Sequence, residues 1–168
     1  MSRTDRRVVL VVSLLFVGLV GSPLHSAVPA AGRYLVTSES SAQVGCLDLC
    51  RCPIRDEPWF EGSFDLVPEG SDAMSYRVEN VDWRVGRERP VALRGAGTLR
   101  LEAAGDEVEQ TIELQLSVDG AAPTAFRATD RQIAGLSEVI VAVALRPAAP
   151  VCRGQVLSLH AERVGASR

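Results

Sequence analysis

Between Thr111 and Val118 apolar and polar residues alternate without a break, with Ile112, Leu114, Leu116 and Val118 on one parity and Glu113, Gln115 and Ser117 on the other. Successive side chains leave an extended backbone on opposite faces, so a period of two marks a strand with one face in a core and one in water. No apolar stripe at helical spacing runs over enough turns to compete with that pattern. The sequence therefore predicts an all-β fold.

The same period organises most of the chain. Arg33 to Thr37 reads as a short first strand, followed by the polar run Ser38 to Ser41. From Trp59 to Val67 the residues Phe60, Phe64 and Leu66 share a face, and Pro68 to Asp72 carries turn chemistry. Met74, Tyr76 and Val78 alternate and then change phase to Val81, Trp83 and Val85. One extra residue would restore that apolar set to the same face, which predicts a β-bulge near Asn80; two strands broken by a turn at Glu79-Asn80 would give the same pattern. Val91, Leu93, Leu99 and Leu101 share their parity with Gly95 and Gly97, two positions that predict close approach of another strand or a tight bend at a barrel corner. Asp119-Gly120 is hairpin-turn chemistry, with Ala125 to Arg127 on the return strand. Val139 to Leu145 is apolar on both parities and predicts a central strand, stopped by Pro147 and Pro150. The last strand, Gln155 to Val164, points Leu157, Leu159 and Ala161 inward and His160 outward. About eight or nine short strands joined by turns predict an antiparallel β-sandwich or a partly closed β-barrel.

Residues 1–30 stand outside this scheme. Arg3, Arg6 and Arg7 precede the apolar run Val8 to Val20, and small residues follow, which is the layout of a secretory signal peptide. The run is shorter than the ~20 residues a membrane span needs, so no stable span is expected after cleavage. Candidate cleavage positions follow Ala27 and Ala30. Residues 31–168 then form a single β-domain, secreted or periplasmic. Of the 18 basic and 21 acidic residues, 15 and 20 lie beyond Ala30. That acidic balance turns the domain away from nucleic acid and anionic lipid surfaces. All 18 basic residues are arginine, scattered along the chain and without a cluster that would mark a phosphate site.

Cys46, Cys50 and Cys52 fall within seven residues, ahead of Pro53, while Cys152 stands near the far end. Behind an export signal, four cysteines read as two disulfides, for which three connectivities exist. Cys50 to Cys52 would close too small a ring to be relaxed. Cys46 to Cys50 would clip a turn and leave Cys52, held extended by Pro53, for Cys152. The competing reading is a thiolate centre for copper(I) or zinc at C-x3-C-x-C spacing, with His160 as the one imidazole beyond the leader. Disulfides are the better expectation, with no metal and no resident cofactor. Catalysis has little material: one histidine in the mature chain, no Gly-x-Ser-x-Gly elbow, and a Gly95-Ala96-Gly97 element lacking the third glycine and helix of a phosphate loop. Glu107 and Glu109 lie on the outward parity of a strand and are expected only to solvate it.

At Tyr34-Leu35-Val36, Gly45-Cys46, Cys50-Arg51-Cys52-Pro53, Gly62-Ser63-Phe64, Val81-Asp82-Trp83 and Cys152 the chain resembles a set of exported bacterial β-proteins of unassigned function with a C-x3-C-x-C-P start. Its first strand with a tyrosine, Ser-rich turn and Gly-x-Phe strand are also similar to YceI-like periplasmic lipid-binding barrels. The first resemblance implies no activity; the second implies a pocket for an apolar ligand. The expectation is a non-catalytic exported β-domain acting as a binding or interaction module for a protein or small molecule. A YceI-like or lipocalin-like carrier and a thiolate metal protein are the alternatives. Protein purified from an oxidising compartment is expected to show no free thiol on titration under denaturing conditions; two or more reactive thiols per chain would favour the metal centre.

Overall fold

The computed structural model describes residues 29–45, 53–57, 59–70, 74–105, 107–133, 141–147 and 154–165. These residues form ten strands and no helix: β1 (Gly32–Val36), β2 (Ser41–Gly45), β3 (Arg55–Glu57), β4 (Phe60–Pro68), β5 (Ser75–Val85), β6 (Val91–Ala104), β7 (Glu107–Val118), β8 (Thr124–Ile133), β9 (Val141–Pro147) and β10 (Gly154–Arg163). All pairings are antiparallel and belong to one sheet, in the order β1-β4-β5-β6-β7-β8-β9-β10-β2-β3, with β1 also paired to β10. The fold is thus a curled, barrel-like sheet rather than two stacked sheets. Ten strands replace the expected eight or nine because the first two long strands are each broken. β1 and β2 both pair with β10, and β3 and β4 pair with β2 and β1 respectively. Of the expected central strand, Val139 and Ile140 lie outside the described residues. Its remainder, β9, does sit between two neighbours, although its register with β8 is confined to Phe126↔Pro147 and Arg127↔Arg146.

The sheet turns a corner where three adjacent strands deviate at the same level. β4 shifts register between Ser63 and Asp65, and β5 shifts between Val78 and Val81, with Asn80 at φ 52° as its bulge residue. Asn80 Nδ2 donates to Asp65 Oδ2 at 2.8 Å, tying the two irregularities together. On the next strand Val78 and Val81 face Gly97 and Gly95. A Cβ on either glycine would run into the β7 carbonyl of Glu113 or Gln115, so the missing side chains are what let β6 bend against β7. Bulges of this kind increase local twist and allow a sheet to curl.

Curling gathers one parity of β1, β2, β4 to β8 and β10 into a common interior. Leu93, Leu99, Ile112, Leu116, Leu157, Leu159, Val78 and Trp83 are all fully buried there. Phe64 stacks on Tyr34 with ring centroids 5.5 Å apart and meets Trp83 edge-on at 6.0 Å, while Phe60 approaches Trp83 at 5.5 Å. Such offset and edge-on pairs add to the burial of large apolar area. The outer face carries cross-strand ion pairs, among them Arg94–Asp82 at 3.2 Å and Arg131–Glu109 at 2.9 Å. Glu109 therefore has a specific partner as well as solvent. Exposed pairs of this type contribute little each.

Residues at the two breaks in the first strands are tied down by side chains. Between Val36 and Ser41 the chain spends two residues more than β10 does, so the ladder skips opposite His160. Ser40, 2% exposed, fills the gap: its Oγ accepts from His160 N at 2.8 Å and donates to His160 O at 2.9 Å. At the opposite end of the molecule from β2, the Tyr34 hydroxyl donates to Ala30 O at 2.9 Å and the Tyr76 hydroxyl donates to Pro29 O at 2.5 Å. Burial pushes the Tyr34 phenol up to about 12, against a counter-pull from the Arg163 guanidinium. Replacing Ser40 by alanine leaves a backbone N–H unpartnered at the closure and is expected to destabilise by about 1–3 kcal/mol; an unchanged urea midpoint would show that the hydroxyl does not complete the ladder.

Candidate functional site

In an antiparallel meander, turns alternate between two ends. The gaps from Gly45 to Pro53, Val85 to Val91, Val118 to Thr124 and Pro147 to Gly154 all open at one end. The Pro29–Ala30 segment lies at the other. The first end is where the remaining chemistry collects.

Gly86 continues from β5 with φ 91°, and its N–H donates to Trp59 O at 2.9 Å, fixing the turn beside the β3–β4 junction. A non-glycine residue is strained at that φ. The turn residues Arg87, Glu88 and Arg89 line one hollow with β3, which among the described residues pairs only with β2. Between them lies an open groove of about 750 Å³ lined by Arg55, Glu57, Trp59, Gly86, Arg87, Glu88 and Arg89. Arg55 Nη2 is ion-paired with Glu57 Oε1 at 2.6 Å. Among the described residues no ion pair engages Arg87 or Arg89. A guanidinium presents a planar fork of donors suited to carboxylate or phosphate oxygens, and the indole of Trp59 offers a flat apolar surface beside it.

A second, smaller hollow of about 260 Å³ sits at the mouth of the curled sheet, lined by Val44, Val118, Thr124, Phe126, Pro147, Gly154 and Gln155. Its character is mostly apolar, except that the buried Gln155 Oε1 has no hydrogen-bond partner among the described residues. Such an acceptor suits a ligand bearing one donor.

Cys46, Cys50, Cys52 and Cys152 lie outside the described residues. Their described neighbours share this end: Gly45 is the register partner of Gly154, and a Cβ on Gly45 would meet the backbone of Pro53 and Ile54. The sheet is thus left one residue before Cys46, rejoined three after Cys52, and entered again two after Cys152. His160 is on β10 away from this end. Its side chain is half-exposed, with Nδ1 3.6 Å from Glu39 Oε2. No group of three His, Cys, Asp or Glu among the described residues could hold a metal ion, and no helix among them is long and apolar enough to cross a membrane.

Comparisons with protein-family models, with curated proteins and with solved structures returned no match. The site is therefore read from its geometry alone. Sequence reasoning passed over the groove because Arg55-Asp56-Glu57 has no alternation and reads as a solvated run, whereas in the structure it pairs with Ala42, Gln43 and Val44. Trp59 beside a charged triplet and the Gly86-Arg87-Glu88-Arg89 turn were the available signals. With His160 remote from the cysteine-flanked end, His160→Ala is expected to leave the melting temperature nearly unchanged. Replacing both Cys52 and Cys152 by serine should cost on the order of 4–5 kcal/mol if a bridge closes that ~100-residue loop. A chelator-sensitive wild type together with a strongly destabilised His160→Ala variant would reverse that order.

Proposed function

We propose that the chain is exported behind a cleaved leader and that its disulfide-bonded β-domain is a non-catalytic binding module whose ligand face is the Arg87–Arg89 groove. The observation that carries this reading is the pair of arginines, without ion-pair partners among the described residues, that lines one groove with Trp59 beside β3, which among those residues pairs only with β2. The ligand class that fits is a carboxylate-bearing one, most simply an acidic segment of a partner protein. Attraction would come from the local guanidinium forks, since the domain's overall charge is negative. The common end shared by the cysteine-flanked gaps and the groove suits a rigid, bridged rim around a binding face.

A carrier of an apolar ligand is the second reading, favoured by the apolar mouth with its unpartnered Gln155 acceptor. Amide NMR titrations separate the two. A Glu-rich peptide is expected to shift residues 55–59 and 86–89, and the double variant Arg87→Ala, Arg89→Ala should weaken it by about tenfold or more while leaving the melting temperature unchanged. Laurate shifting Val44, Val118 and Phe126 instead would favour the carrier. Silence of the groove toward the peptide would overturn the first reading.

A further inference from the structure

Two of the most deeply buried polar groups in the domain are spent on residues that precede the first strand. Tyr34 is 1% exposed and Tyr76 3% exposed, on strands β1 and β5. Their hydroxyls donate to the carbonyls of Ala30 and Pro29, and Pro29 is itself buried. Both rings belong to the interior cluster, with Tyr34 stacked on Phe64. Two adjacent carbonyls held by two separate strands make a clasp that closes this end of the curled sheet. A buried tyrosine hydroxyl normally has a partner, and leaving one without it is costly.

We infer that leader removal stops short of Pro29, so that Pro29 and Ala30 remain in the exported protein as a structural clasp and the Ala30–Ala31 bond is not the processed one. This rests on the export reading of residues 1–30. Sequence alone admits cleavage after Ala27 or Ala30; the clasp favours the first, because cleavage at the second would remove both acceptors. It also gives Tyr34 and Tyr76 a role that their apolar packing does not require, since phenylalanine would fill the same space.

The test is the intact mass of protein exported by a bacterial host from the full chain, combined with melting of Tyr34→Phe and Tyr76→Phe made in that same chain. Each substitution removes one hydroxyl and keeps the ring, so the fold is preserved. The expected result is a leader-cleaved chain whose first residue is Val28 or Pro29, with each variant melting roughly 3–6 °C lower than the parent. A chain beginning at Ala31 overturns the inference, and so do variants that melt with the parent. A chain still carrying Met1 to Ala27 would sink the export reading alone; the tyrosine variants then decide whether the clasp exists.

Discussion

Closure of the sheet through β10 is the constraint on which the rest depends. β10 pairs along one edge with β9 and along the other with both β2 and β1, so a single ten-residue strand joins the last part of the chain to the first. Without it β1 and β9 would be open edges, and Leu157, Leu159 and Ala161 would face water. The strand can serve two partners only because the chain between Val36 and Ser41 carries two extra residues, which re-aims β2. Those extra residues would leave the His160 amide unsatisfied in the buried ladder were Ser40 not folded back onto it. A small polar residue in the break is therefore a packing requirement of closure and not a loop ornament.

Closure in turn demands curvature, and the curvature is concentrated at the corner formed by the β4 and β5 irregularities and the Gly95–Gly97 pair. Once the sheet curls there, aromatic side chains from β1, β4 and β5 converge on one side of the interior, and aliphatic ones from β6, β7 and β10 occupy the rest. Some of the charged residues left on the convex face pair across strands, Arg94 with Asp82, Arg127 with Glu113 and Arg131 with Glu109. The hydrophobic burial is what stabilises the domain, and the ion pairs chiefly keep like charges apart.

Much of this was legible in the residues. The phase change from Val78 to Val81 marked Asn80 as either a bulge or a turn between two strands, and one continuous β5 with a register shift there makes it the bulge, while Gly95 with Gly97 marked a close approach or a corner. Strand β7 could be drawn side chain by side chain. What stayed hidden were β2 and β3, whose Ser41-Ala42-Gln43-Val44-Gly45 and Arg55-Asp56-Glu57 show little periodicity. Short strands that depend on long-range pairing leave weak local signals, because pairing with β10 and with each other, not propensity, makes them extended. The choice between sandwich and barrel was hidden for the same reason: it is decided by which strand pairs with the last one, a contact more than one hundred residues long. The groove followed from that hidden part, being the space beside β3.

The clasp and the groove lie at opposite ends of the strands. With β5 eleven residues long and barrel strands inclined to the axis, the two are separated by roughly 25–30 Å. The molecule consequently has a polarity. Pro29 lies at the end farthest from the arginines, where the Tyr76 hydroxyl holds its carbonyl. The length of the folded body therefore stands between the two ends, so a change made at the clasp leaves the lining of the groove untouched.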